Sequence, residues 1–402
     1  MNILVADFIY TNEGYLQGKA VAFDETIQKI DDFDILKNLY PNAKIINTPK
    51  NSVIYPGFIN SHVHLEFSNN KTSLEYGSFV PWLKSVIKNT DMIQKCTTND
   101  MKRACEEMLK SGVTSFGAIS SNGNDLQVCT ETPQRVVFFN EILGSKEENS
   151  EVSYDLFIKR VENSLQHNSQ KFKTAISIHS PYSTHPILIR KAISLAKKKK
   201  FLLSAHLLES KAEKEWIEEG NGEFYNLYNE FFGITKPINT KQSFMQEFND
   251  TPTHFIHLSS ATLEDIAYLE SKNHSVAHCP RSNRLLGCGI LDVCKLNMPW
   301  STATDGLSSN WSLNIFDELR ASLMLHATDD LHNLADSLIK SITSVPAKIL
   351  DLNCGVIEVE KFADFTIITL PDSPNAVEEI SLWAILHTKQ VNQLYIGGNR
   401  YV

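Results

Sequence analysis

The chain has 402 residues, of which 42% are hydrophobic and 21% charged, enough apolar material for a large barrel plus one small domain and too much for a disordered polymer. Its formal charge of -9 argues against a general nucleic-acid or anionic-membrane surface and points to a small-molecule partner. The start, MNILVADFIYTNEGYLQGKAVAF, has no basic stretch leading into an apolar core, and no charge-free window is long enough to span a bilayer, so a cytoplasmic enzyme is expected.

Residues 1 to about 55 carry ILVADFIYT, LQGKAVAFD and AKIINTP, short β-branched runs without a long helix. Eight apolar segments follow, each leading into a stretch of helical pattern: SVIYPGFINSHVH, GVTSFGAIS, RVVFFNEIL, KTAISIHS, KFLLSAHLLE, TPTHFIHLS, HSVAHCP and MPWSTATDG. Eight strand-helix units close a (β/α)8 barrel, a TIM barrel, here assigned to residues 56–354. Between them TNDMKRACEEMLKSG, PILIRKAISLAKKKK and TLEDIAYLESKN read as amphipathic helices, and the lysine run 197–200 as a solvated last turn facing the helix dipole. The C-terminus returns to hairpin material in GVIEVEKFADFTIITL, AILHTKQVNQLYIGG and NRYV. Segments 1–55 and 355–402 are therefore expected to pair into one small discontinuous β-sandwich. The seven cysteines contain no CxxC pair and read as thiols in a reducing compartment.

Chemistry in such a barrel gathers where strands end, because the loops there form a concave mouth. The candidate residues are all expected to lie at such ends. His62 and His64 sit at alternate strand positions and point the same way. His206 near the end of the fifth segment and Asp305 at the eighth complete a four-ligand set that zinc or ferrous iron accepts. Glu209, three residues beyond His206, emerges in the following loop as a candidate general acid-base. His254 on the sixth segment is the candidate for orienting the attacking water, with His257 competing for that task. Asp305 has a second possible task, taking a proton from water acidified by the metal, although an Asp-Gly pair is also a turn signal.

The set PGFINSHVHLE, HSPY at His179 to Tyr182, SAHLLES, HCPRSN and TDGLSSNWSLN resembles the amidohydrolase superfamily, in the branch that deaminates aminopurine nucleosides, over essentially the whole chain. The resemblance implies one divalent metal, zinc ahead of iron, on His62, His64, His206 and Asp305, with Glu209 and His254 moving protons. Two-metal members of the superfamily carry a carboxylated lysine at the end of the fourth strand; here that end reads ISIHSPY, so a single metal is expected. A homodimer is expected from the same relatives. HVHLEFSNNKTSLEYGSFVPWLKSVIKN looks closer still to the members of the futalosine route to menaquinone, which remove the purine 6-amino group of a nucleoside with a carboxyphenyl tail. The alternatives are deaminases of S-adenosylhomocysteine, methylthioadenosine or adenosine, and, from another class, a binding relative without catalysis.

For the substrate, the resemblance implies His179 beside it and Ser309 against the heterocycle. Trp82 belongs to the Trp-Leu pair that relatives precede with an acid; Val80 and Pro81 stand there instead, so ribose contact passes to Glu66 or Glu75. Arg281 and Arg284 are candidates for reading a carboxylate, for which a guanidinium offers a two-pronged donor. The segment Leu65 to Lys95 is the expected cover of the mouth.

Overall fold

The computed structural model describes residues 1–69, 73–90 and 95–402. Seven strands precede the barrel: β1 (Asn2–Val5), β2 (Phe8–Thr11), β3 (Gly14–Gln17), β4 (Lys19–Phe23), β5 (Ile27–Asp32), β6 (Lys44–Asn47) and β7 (Ser52–Pro56). Then come β8 (Phe58–Val63), β9 (Val113–Ser120), β10 (Arg135–Ile142), β11 (Phe172–Ile178), β12 (Leu203–Leu207), β13 (His254–His257), β14 (Ser275–His278) and β15 (Trp300–Thr302). These eight form one sheet in strict sequence order, the parallel strands of a nearly closed (β/α)8 barrel. All eight expected segments supply a strand. Their near-continuous burial is what strands covered on both faces require, and it explains why they stand out as apolar runs. The first segment divides at Gly57, however, and only its second half enters the barrel. β7 instead joins a terminal sheet.

The last three strands, β16 (Phe365–Thr369), β17 (Gln393–Ile396) and β18 (Asn399–Arg400), belong to a six-stranded sheet ordered β18-β17-β16-β7-β2-β3. The two ends of the chain meet in it where β7 and β16 pair antiparallel, from Ser52 opposite Thr369 to Pro56 opposite Phe365. A separate four-stranded sheet runs β5-β4-β1-β6. Two helices fall where hairpin material was expected. Phe33–Leu39 follows β5, and Ile380–His387 takes up the AILH of the second C-terminal segment. ISLWAILH is apolar on nearly every side and buried at five of its eight positions, so it shows no clear helical period.

The chain divides into two compact units, one of residues Met1–Ser61, Cys105–Phe116 and Asn314–Val402, the other of His62–Ala104 and Gly117–Leu313. The first has its core where Phe23 meets Phe365 and Tyr395 edge-on at 5.2 and 5.8 Å, with Leu4, Ile9, Ile54 and Ile367 around them. No helix among the described residues is long and apolar enough to cross a membrane. No disulfide forms among them.

Gly397 and Gly398 make the two-residue turn between β17 and β18, with φ of 54° and 75°. Positive φ at both central positions defines the hairpin turn that matches strand twist, and it favours glycine. A Cβ at Gly398 would lie 1.8 Å from the Asp24 carbonyl oxygen, whereas one at Gly233, at φ 68°, meets nothing within 4 Å. Gly398→Ala is therefore expected to cost about 3 kcal/mol or more, and Gly233→Ala only about 1 kcal/mol, as read by urea unfolding.

Candidate active site

His62 lies on β8 and His64 just past its end, their rings 4.8 Å apart and edge-on. β12 brings in His206, whose ring lies 5.0 Å from that of His62 and 5.5 Å from that of His64. The ligating atoms of these three lie within 4.8 Å of one another, and so do those of a second group, Glu209, His257 and Asp305. Asp305 joins the two: its Oδ1 is 3.5 Å from His62 Nε2 and 3.6 Å from His64 Nε2. Its other oxygen, Oδ2, is held by Ser282 Oγ at 2.7 Å and Ser309 Oγ at 3.0 Å. The Gly306 amide donates to Oδ1 at 2.8 Å.

Burial sets the protonation of the cluster. It pushes His206 well below its ordinary value, aided by the neighbouring His62, His179 and His64, and it lowers His62 as well. For His62 and His206 burial thus favours the neutral form, the one that ligates a metal. Burial works the other way on Asp305, but the contacts with His62, His64 and His257 outweigh it and hold this carboxylate well below the usual range. Glu209 is pushed well above, first by burial and then by the charges of Asp305 and Glu213. The two carboxyls are thus pushed in opposite directions by their surroundings, the kind of separation that divides base from acid.

Glu209 Oε1 lies 3.4 Å from His257 Nε2, and Asn283 Nδ2 donates to the other nitrogen of that ring at 3.1 Å. His257 has a φ of 76°, and Leu208, just before Glu209, has 51°. Asp305 has 58°. Left-handed backbone at non-glycine residues costs about 1–3 kcal/mol each and persists where the surroundings over-determine it.

The sixth strand corrects the expectation for His254. That residue opens β13, at the end of the barrel away from the mouth, with Nδ1 2.9 Å from Ser275 Oγ and Nε2 3.4 Å from Ser301 Oγ. His257 closes the same strand and stands with Glu209 and Asp305. Residues three apart on a strand face opposite sides, and the left-handed turn at His257 re-aims its ring toward the site. The position rule itself favoured His257, because the mouth lies at strand C-termini.

Other expected residues are committed elsewhere. Glu66 does not point to a ribose: its carboxylate accepts the amides of Ser121, Asn122 and Asn124 at 2.8 to 3.2 Å, bracing the loop after β9. Arg281 is buried, donating to Ser312 Oγ and to the Ser312 carbonyl at 2.9 Å, with its guanidinium 4.4 Å from the centre of the Trp311 ring. It therefore braces a loop, where a tail reader was expected. Arg284 is exposed, as is Glu75. Trp82 donates from Nε1 to the Ser308 carbonyl at 3.0 Å, which puts it next to the loop carrying Ser309. His179 lies beside His206, ring centres 5.2 Å apart, with Nδ1 2.6 Å from Ser183 Oγ. Of the expected cover, Leu65 to Lys95, residues 70–72 and 91–94 fall outside the described residues.

The family model described as Amidohydrolase family matches residues 53–400. The chain belongs to the amidohydrolase family. Aminodeoxyfutalosine deaminase of a Nitratiruptor species is 42% identical over 404 residues, covering 100% of both chains. A Helicobacter pylori protein named adenosine deaminase is 38% identical over 403 residues, covering 96% of this chain and 95% of its own. Among solved structures, Helicobacter pylori aminofutalosine deaminase in complex with methylthio-coformycin aligns with a TM-score of 0.94 at 38% identity, covering 100% of both chains.

Amidohydrolases depend on a divalent metal, and this donor set fits one. Both ring nitrogens of His62 and Nδ1 of His64 are buried without a hydrogen-bond partner. Orphaned buried nitrogens are costly, and a cation among them removes the cost. His206 Nδ1 donates to the His179 carbonyl at 3.1 Å, which leaves Nε2 with its lone pair for a metal. Glu141, missed in the sequence, ends the third barrel strand 3.7 Å from the same Nδ1, with Oε2 taken by Ser121 Oγ at 2.5 Å. A carboxylate inside the apolar run RVVFFNEIL was the available signal.

Burial, and next the neighbouring His62, lower His254 to about 3. The unfolded chain protonates this imidazole below about 6.5, whereas the folded one keeps it neutral, so its contribution to stability is full above pH 6.5 and drains away as pH falls toward 3. His254→Gln is expected to flatten the dependence of unfolding free energy on pH between 6 and 4 by up to one proton, about 1.4 kcal/mol per pH unit, in urea titrations against the parent.

Proposed function

We propose that this amidohydrolase hydrolyses the 6-amino group of 6-amino-6-deoxyfutalosine, releasing futalosine and ammonia in menaquinone synthesis. The observation that carries the reading is the buried convergence of His62, His64 and His206 with Glu209, His257 and Asp305, with Asp305 Oδ1 3.5 Å from His62 Nε2 and Glu209 Oε1 3.4 Å from His257 Nε2. The full-length likeness to aminodeoxyfutalosine deaminase supports the substrate. A relative named adenosine deaminase, nearly as similar, keeps adenosine and its thioethers as the second reading.

His62, His64, His206 and Asp305 would hold one divalent metal, with zinc preferred to iron. When bound, the metal supplies a Lewis acid that lowers the pKa of water to about 7. The rest of the chemistry belongs to side chains. Glu209, whose carboxyl burial pushes up toward its protonated form, gives a proton to the purine ring nitrogen next to the carbon under attack. His257 fixes the direction of the attacking water. Asp305 takes a proton from that water as the new C–O bond forms and delivers it to the departing amine as the C–N bond breaks. The remaining water proton returns to Glu209 when the carbonyl forms, so ammonia and the oxo product leave the enzyme unchanged. His179, Ser309 and Trp82 border the place where the nucleoside would sit.

Ammonia release measured against aminodeoxyfutalosine, S-adenosylhomocysteine, methylthioadenosine and adenosine at matched concentrations tests the substrate. The first should be turned over at least about tenfold more efficiently than the others; preference for another nucleoside would reject the pathway and keep the chemistry. Glu209→Gln should lower kcat by about 10²- to 10⁴-fold with its metal retained. Chelation should abolish turnover, and added zinc should restore it.

A further inference from the structure

Glu213 takes no part in the reaction drawn above, yet its side chain is 1% exposed and both its oxygens converge on the backbone that carries Glu209. Oε1 accepts the Leu208 amide at 3.0 Å, and Oε2 accepts the Glu209 amide at 2.7 Å. Glu213 is the third residue of the helix Lys211–Glu219, and its own amide is capped by Ser210 Oγ at 3.1 Å. Ser-x-x-Glu is the capping-box pattern, in which the acid returns to the amide of the cap residue. Here the acid reaches further back, to the two amides before the cap.

Those two amides flank a strained bend. Leu208 lies at φ 51°, a conformation that leucine, unlike glycine, rarely adopts. Its carbonyl is held from the other side by the Ser260 amide at 2.9 Å, and the Leu207 carbonyl by the Leu258 amide at 3.1 Å. The bend turns the chain out of β12, so that His206 stays on the strand while Glu209 faces His257 at 3.4 Å. Without the carboxylate, two donors would be left in a buried place and the bend would lose the contact that offsets its strain. Burial brings Glu213 to about 7 against the opposing pull of the Glu209, Leu208 and Ser210 amides, and the groups whose electrostatics it touches are Glu209, Tyr182, Tyr228 and Cys288. The fold thus tolerates a costly buried acid at this position.

We propose that Glu213 is the positioning residue for Glu209: a two-oxygen clamp on the Leu208-Glu209 bend that aims the proton-carrying carboxyl at the substrate ring. This rests on the deaminase reading above. Its consequence is specific to proton transfer, because the clamp's two hydrogen bonds go to Leu208 and Glu209, past the end of β12, and not to His62, His64 or His206.

Glu213→Gln tests it, since the amide end that replaces one oxygen cannot accept a backbone N–H. The clamp predicts a kcat lower by about 10- to 100-fold, KM within about threefold and unchanged metal content. It also predicts that hydrogen exchange in peptides spanning residues 207–210 accelerates by at least about tenfold. An unchanged kcat, a loss of activity that only follows a loss of metal, or unchanged exchange would overturn it. If the variant does not fold, exchange in the parent protein decides. The Leu208 and Glu209 amides should then be among the slowest outside the strands, and free exchange there would refute the clamp. A parent enzyme that releases no ammonia from any nucleoside would sink the functional reading, and the exchange measurements would still judge the clamp.

Discussion

Asp305 donates its backbone amide to the carbonyl of His62 at 3.1 Å, and that bond joins the end of the last barrel strand to the first. The same two residues face each other through their side chains, carboxylate to imidazole. Closing the barrel and assembling the site are consequently one event. If the seam opens, the donor set loses its carboxylate. If the carboxylate is displaced, the seam loses the residue whose left-handed φ turns the chain across it. A catalytic constellation built this way inherits the rigidity of the barrel, which is what placement within tenths of an ångström requires.

Strain is concentrated at the same rim. Nine non-glycine residues among those described have positive φ, and four of them, Leu208, His257, Leu258 and Asp305, lie at the mouth where β12, β13 and β15 end. Each is braced by a hydrogen bond that does not depend on substrate: Glu213 on the Leu208 amide, Asn283 on the His257 ring, the Leu207 carbonyl on the Leu258 amide and the His62 carbonyl on the Asp305 amide. The barrel body supplies the stability that the rim spends, and the rim gains directions for side chains that regular strands could not give.

What the sequence disclosed follows from this division. Strands covered on both faces are apolar runs, so β8 to β15 were legible, and ligands at alternate strand positions or strand ends were legible with them. What depended on a reversed φ was hidden. Spacing along TPTHFIH offered two histidines; strand position favours the second, and the bend at His257 is what aims its ring at the site. Glu66 and Arg281 looked like substrate readers because they are charged residues near strand ends. Their partners turned out to be backbone amides and Ser312, contacts that no local spacing reveals. Glu141 and Glu213 escaped for a related reason: each works through a neighbour, and the capping-box spacing of Ser210 and Glu213 points to a helix start rather than to the site. The helix Ile380–His387 was missed because an element apolar all round has no period to read.

The pairing of β7 with β16 has a consequence for the birth of the molecule. Strand residues 52–56 find their partners at 365–369, so roughly 310 residues must be synthesised before that edge is covered. At about 5–20 residues per second, translation leaves β7 with one open edge for on the order of fifteen seconds to a minute. The barrel emerges during this interval, and the terminal sheet can be completed only after it. The ribosome therefore enforces an order of assembly that refolding from denaturant, with both ends present from the start, does not have to obey.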